Sequence, residues 1–157
     1  MTSKKPGPPN ASVSGPTRLR QIALVASDLQ KSKELLTHIL GTEVCYIDPG
    51  VGQWGLENFL VPVGGEIIEV VSPKEPGPGT QAGRLLEKKG DGGYMLIMQT
   101  EDAKKRRDWI LEKGLGKVIW EHAHESPDGV EGKGMSVQYY PKGIAGMFST
   151  LVCCRLC

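Results

Sequence analysis

The sequence has no surplus of charge of either sign, no long apolar run and no spread of cysteines. Each shortage removes a class of function. With 19 basic against 18 acidic residues the net charge is +1, so no overall field draws in nucleic acid or anionic lipid, and no basic run supplies one locally. No apolar stretch approaches the roughly 20 residues needed to span a bilayer. Residues 1–18 lack the apolar segment of a secretory signal and are rich in lysine, proline, glycine and serine, which reads as a disordered leader. Without such a signal, Asn10-Ala11-Ser12 matches a glycosylation acceptor by chance. Of the 4 cysteines, Cys45 stands alone, while Cys153, Cys154 and Cys157 crowd the chain's end. A disulfide framework would distribute them through the fold, so the expected compartment is reducing and cytoplasmic. The terminal cysteines do not form a prenylation box, because Arg155 occupies an aliphatic position. They read as a strand end followed by a tail at 154–157, with palmitoylation or a partial metal site as the other reading.

What remains is a chain of 157 residues, 39% hydrophobic and 24% charged, enough for one compact domain with a core. Gln21-Ile22-Ala23-Leu24-Val25-Ala26 is an apolar run expected to form a strand buried on both faces. Ser27-Asp28 offers a helix cap, Leu29, Leu35, Leu36, Ile39 and Leu40 follow at helical spacing, and Gly41 is the natural stop. Strands are predicted over 44–47, 55–63 and 65–72, the first halted by Asp48-Pro49-Gly50. The Pro/Gly-rich stretch after Ser72 supports neither ladder nor helix, and Thr80 then caps a short helix to Lys89.

The second half repeats the first. A strand at 94–99 leads to a helix opened by Thr100, Glu101 and Asp102 and closed at Gly114. Strands follow over 117–120, 134–140 and 146–152, the last two separated by Pro141-Lys142-Gly143. Tyr94 follows Gln21 by 73 residues, as Gly114 follows Gly41, and Asp28 maps by the same offset onto Glu101. Later the offset is 81, relating Gly65 to Gly146, Glu69 to Thr150 and Val71 to Val152. The extra residues fit the loop at 126–133, where insertion is cheapest. The expected fold is therefore α+β. Two βαβββ modules, 19–73 and 92–153, are joined by a linker at 74–91 and form a curved mixed sheet around a concave cup.

In this order and spacing the chain resembles the vicinal-oxygen-chelate superfamily, the glyoxalase, bleomycin-resistance and dioxygenase-type domains. Its landmarks are Gln21 through Leu29, Gly55-Leu56-Glu57-Asn58, Glu69-Val70-Val71-Ser72-Pro73 and Gly90-Asp91-Gly92-Gly93-Tyr94-Met95. Asp48-Pro49-Gly50, Gly79-Thr80 and Gly83-Arg84 extend the likeness to glyoxalase-like proteins in particular. The resemblance spans 19–152, about 85% of the chain. In metal-dependent members, the first and last strands of each module contribute one inward ligand apiece. The resemblance places those positions at Gln21, Glu69, Tyr94 and Thr150, the same four that the repeat pairs.

Of these only Glu69 is a ligand type. Gln21 offers a neutral carbonyl, Tyr94 a phenol whose unperturbed pKa is near 10, and Thr150 a hydroxyl. Zn²⁺, Ni²⁺ and Fe²⁺ favour imidazole and anionic donors, and Mg²⁺ is rarely held by one carboxylate. No cofactor or resident divalent metal is therefore expected. A metal-free site is coherent: Glu69 among Ile67 and Val71 would have a raised pKa and act as acid or base. Tyr94 would donate to a developing oxyanion, with Gln21 or Thr150 fixing the substrate oxygen. Equally, Tyr94, Gln21 and Thr150 could simply satisfy Glu69 as a buried polar cluster. Arg84 either reaches a substrate carboxylate or phosphate or pins the linker. Tyr140 either stacks on a flat ligand or packs at an edge. Glu121-His122-Ala123-His124-Glu125 reads as a solvated strand end, His38 as a surface residue, and Lys104-Lys105-Arg106-Arg107 as a charged helix face.

These residues point to a lyase, isomerase or cyclase acting on a small carbonyl-containing or aromatic metabolite. The alternatives are a non-catalytic binding or sequestering protein and a degenerate dimerisation module. The expected partner is a small molecule, with a homodimer as a further possibility that the resemblance raises.

Overall fold

A computed structural model describes residues 17–124, 134–141 and 148–153. Residues 1–16 of the predicted leader, the insertion loop at 126–133, the turn at 142–143 and the tail at 154–157 lie outside the described residues, while Arg18, the leader's last residue, opens the first strand. The chain divides into two compact units, one built on Leu19–Ile97 and the other on Met98–Ile144 with residues 150–153.

The first unit contains strands β1 (Arg18–Val25), β2 (Leu56–Val63) and β3 (Glu66–Pro73), helices α1 (Leu29–Leu40) and α2 (Gln81–Lys89), and strand β4 (Gly92–Gln99). Its strands lie in the order β2-β3-β1-β4. β1 runs parallel to β3, pairing Ala23 with Glu69 and Val25 with Val71. β2 returns antiparallel across the two-residue turn Gly64-Gly65, where Gly64 takes φ 62, and pairs Leu60 with Glu69.

Because side chains alternate along a strand, this sheet has two distinct faces. Phe59, Val61 and Val70 are buried on one face with Leu24 and Ile68 beside them, and Leu29 and Leu36 of α1 close over it. Ala23, Val25, Leu56, Val71 and Tyr94 form the core on the other face, covered by Ala82, Leu85 and Leu86 of α2 and by Val51 of a 3₁₀ turn at Pro49–Trp54.

Both helices start and stop as their sequences dictate. Asp28 accepts from the Lys31 N–H at 2.9 Å, and Gly41 ends α1 in the left-handed region at φ 61. Thr80 caps α2 by accepting from the Gly83 N–H at 2.9 Å. The Pro/Gly loop before α2 is tied down at Gly83. A Cβ there would stand 1.9 Å from the Gly77 carbonyl oxygen.

The second unit carries α3 (Ala103–Glu112), β5 (Gly116–His124), β6 (Gly134–Pro141) and most of β7 (Phe148–Cys153), with strand order β7-β6-β5. Ala103 and Ile110 of α3 pack with Trp109, Val118, Met135, Val137 and Tyr139. Gly114 repeats the left-handed φ of 61 seen at Gly41. The predicted basic stretch is a charged helix face: Arg107 pairs with Asp108 at 2.7 Å and Glu121 at 2.6 Å, and Lys105 with Asp102 at 3.7 Å.

Three sequence expectations shift. The strand predicted at 44–47 is reduced to a single bridge, Tyr46 with Leu60. Its continuation is diverted, because the Asp48 N–H donates at 3.0 Å to the Asn58 side chain, and Pro49 then has no N–H to offer. The offset of 73 relates Asp28 to Glu101, but the residue that caps α3 as Asp28 caps α1 is Asp102, accepting from the Lys105 N–H at 2.9 Å; the shorter side chain reaches back to that donor more readily. The strand predicted over 117–120 continues to His124, since all its later residues pair with β6.

Phe59 is 1% exposed, so Phe59→Ala is expected to lose about 3–5 kcal/mol in urea unfolding. Gly83→Ala, which improves helix propensity, is expected instead to destabilise by about 1–3 kcal/mol, because the Gly77 carbonyl must move. Wild-type stability in that variant would show that the loop is not anchored there.

Candidate functional site

Parallel pairing of β1 with β3 and antiparallel pairing of β2 with β3 place Gln21, Asn58 and Glu69 together on the α2-covered face. Glu69 lies directly between Ala23 and Leu60, with Gln21 and Asn58 diagonal to it on the neighbouring strands. Both amide side chains donate to it: Gln21 Nε2 to Oε2 and Asn58 Nδ2 to Oε1. Asn58 is 3% exposed and Glu69 9%. The Asn58 carbonyl oxygen in turn accepts from the Asp48 N–H at 3.0 Å, so the amide's orientation is set by backbone on one side and carboxylate on the other.

Burial pushes the Glu69 carboxyl above the ordinary carboxylate range. The Asn58 and Gln21 donors pull it down, the Asp48 charge adds to the rise, and desolvation is the largest of these effects. Tyr94 stands on β4 at 5% exposure, and its hydroxyl donates to Gln81 Oε1 at 3.2 Å. Its pKa is pushed up to about 12, first by burial and then by the charge of Glu69, against a smaller opposing pull from Arg84. The phenol is a neutral donor across the physiological range. Arg84 is exposed on α2 and its guanidinium donates to the Pro78 carbonyl at 3.0 Å, fastening the linker.

Of the residues singled out in the sequence, Gln21 and Glu69 are therefore in direct contact. Tyr94 shares their face and feels Glu69 electrostatically, but its hydroxyl is engaged by Gln81. Arg84 takes the linker-pinning position, with its charge still felt at Tyr94. Thr150 lies on β7 and Tyr140 on β6 opposite Lys117; their side chains lie outside the described residues. His122 is exposed and stacked on Trp120, and His38 is exposed in the last turn of α1.

Asn58 and Gln81 were not singled out. Asn58 was within reach of sequence reasoning. It alternates with Leu56 and Leu60 toward the buried face, and a two-residue Gly64-Gly65 turn sets the register that brings it beside Glu69. Gln81 carried no comparable sign, because its contact depends on how α2 lies against the sheet.

The chain has the vicinal-oxygen-chelate fold. It is similar to a hypothetical protein from Bacillus halodurans at 13% identity and a TM-score of 0.75, covering 90% of this chain and 96% of that one. It is also similar to methylmalonyl-CoA epimerase from Mycobacterium tuberculosis, at 19% identity, TM-score 0.70 and 87% of each chain. A variant of Streptomyces coelicolor methylmalonyl-CoA epimerase in complex with 2-nitronate-propionyl-CoA matches at 20% identity and TM-score 0.71, over 88% of this chain and 98% of that one. No family model matches the sequence. No curated protein matches it. Among the described residues no helix is long and apolar enough to cross a membrane.

The raised pKa of Glu69 has a consequence for stability. A carboxyl raised in the folded state favours folding most below its ordinary value of 4.5, where both states are protonated. That advantage is lost as pH rises through the folded pKa, where folding must bury a charge. Glu69→Gln removes this dependence. Scanning calorimetry from pH 4 to 8 is expected to show wild type losing melting temperature relative to the variant as pH rises. Parallel curves would show that the carboxyl titrates normally.

Proposed function

We propose that this chain is a vicinal-oxygen-chelate-fold enzyme that moves a proton next to a carbonyl of a small metabolite, as an isomerase, lyase or cyclase. The observation carrying this reading is the Glu69 carboxyl, desolvated yet held in place by two amide donors. A carboxyl group whose pKa is raised by burial is a stronger base when ionised than an exposed one. Gln21 and Asn58 fix the direction of its lone pairs. The neutral phenol of Tyr94 can donate to an oxygen that gains negative charge as an enolate forms, in exchange for its bond to Gln81. Gln21, only half-buried, and Arg84, on the exposed side of α2, would meet the rest of the substrate. Thr150, the fourth position that the resemblance picks out, and Tyr140, as a ring that stacks on a flat ligand, are proposed as further substrate contacts.

The residues at the four ligand positions do not fit a tightly held transition metal. One carboxylate, one carboxamide, a phenol and a threonine hydroxyl offer no imidazole and a single anionic donor. Both amides also turn N–H groups toward Glu69, where a cation would require oxygens. No step is therefore assigned to a metal. The structural neighbours include epimerases crystallised with coenzyme A thioesters, so thioesters belong among the carbonyl compounds to be tried.

A second reading has its own support. Both carboxylate oxygens already accept hydrogen bonds, as they would in a purely structural cluster beneath a binding or sequestering surface.

Solvent-deuterium incorporation into a panel of ketones, 2-oxo acids, phenols and acyl thioesters, followed by NMR, separates the two. Enzymatic proton transfer predicts exchange at a carbon beside the carbonyl, falling about 100-fold or more in Glu69→Gln and several-fold in Tyr94→Phe. Exchange equal to wild type in Glu69→Gln would overturn the assignment. Saturable binding without exchange would favour the sequestering protein.

A further inference from the structure

The two amides that hold Glu69 are not equivalent. Asn58 is engaged at both ends: its Nδ2 donates to Glu69 Oε1, and its carbonyl oxygen accepts from the Asp48 backbone N–H at 3.0 Å. A backbone N–H can only donate, so turning the Asn58 amide over would set two donors against each other. At 3% exposure there is little room for water to relieve that mismatch. The polarity of Asn58 is therefore fixed. Gln21 has a single tie. Its Nε2 donates to Glu69 Oε2, its carbonyl oxygen takes no donor among the described residues, and the residue is only half-buried.

The difference matters when the carboxyl gains a proton. A carboxylate only accepts, whereas a protonated carboxyl has one O–H to donate. On Oε1 that O–H would point at the Asn58 NH₂, which cannot give way. On Oε2 it meets Gln21, whose amide is free to turn over and present its carbonyl oxygen. We infer that Glu69 Oε2 is the oxygen that exchanges protons with the substrate, and that Gln21 is the positioning residue whose amide reverses each time it does. In the forward step a C–H bond beside the substrate carbonyl breaks, its electron pair passes into the enolate, and the proton forms an O–H bond on Oε2. The return transfer gives a proton back to carbon. Asn58 holds the carboxyl in place throughout. The other ionisable groups around the carboxyl have partners of their own: Asp48 accepts from the Gly50 N–H, Tyr94 donates to Gln81, and Arg84 donates to the Pro78 carbonyl. The part in catalysis rests on the acid–base reading of Glu69; the amide reversal does not.

NMR of side-chain amides and carboxyls in the full chain tests the reversal without a substrate. In Glu69→Gln the new amide oxygen takes the Asn58 hydrogen bond, and its NH₂ stands where Oε2 stood, imitating a protonated carboxyl. Gln21 is expected to be reversed in this variant at every pH. Its side-chain carbonyl ¹³C moves downfield and its NH₂ protons upfield of their places in ionised wild type, while the Asn58 signals hold. Wild type is expected to pass between the same two Gln21 positions as the Glu69 carboxyl ¹³C titrates. In the deuterium-exchange assay, Gln21→Met is expected to lower kcat several-fold with KM little changed, because the missing acceptor matters only once the proton has arrived. Asn58 signals that move as far as those of Gln21, or Gln21 signals identical in ionised wild type and Glu69→Gln, would overturn the reversal. An unchanged kcat in Gln21→Met would overturn its part in catalysis. A wild type that exchanges no deuterium would instead overturn the acid–base reading of Glu69, and the amide signals would still decide the reversal.

Discussion

Placing a carboxyl group on the buried face of a sheet costs several kcal/mol unless hydrogen bonds replace the water it loses. In the Leu19–Ile97 unit that cost falls on Glu69, and much of the surrounding sequence answers it. β1 supplies Gln21, β2 supplies Asn58, and the chain at Asp48 gives up a possible ladder bond so that its N–H can hold the Asn58 amide. The strand predicted at 44–47, the second of this module, is reduced to a bridge by that same diversion. A polar requirement at one residue thus reaches through two strands into the course of a loop.

Much of the fold was legible beforehand because it rests on local rules. Asp28 and Gly41 bound α1, and Thr80 starts α2, since caps and left-handed glycines act within a few residues of themselves. The repeated glycine at 114 adopts the same φ as Gly41, so the spacing found in the sequence reflects a shared way of ending a helix. Glu69 stood out for the same reason, as a carboxylate between Ile67 and Val71 on one face of a strand.

The features that escaped are set by pairing between distant segments. Asn58 gains its role from the β2–β3 register, and Gln81 from the seat of α2 on the sheet. A bulge at Ile119, where Val118 pairs with Tyr139 but Trp120 with Gln138, is harder still to foresee, because nothing in Lys117-Val118-Ile119-Trp120 separates a continuous strand from one with an extra residue. Alternation counted from Val118 gives Trp120 the wrong face. The error disappears only when Glu121 is known to meet Arg107.

The loop ahead of α2 has the proline- and glycine-rich composition in which proteins commonly accept insertions and are nicked by proteases. Here the Gly77 carbonyl lies against Gly83, the Pro78 carbonyl holds Arg84, and Thr80 caps the helix. Those anchors, at Thr80, Gly83 and Arg84, all fall within the first turn of the helix, so the span between them has little slack. A stretch that composition marks as freely variable is thereby constrained in length, and one added residue would set the carbonyls out of step with the helix beneath them.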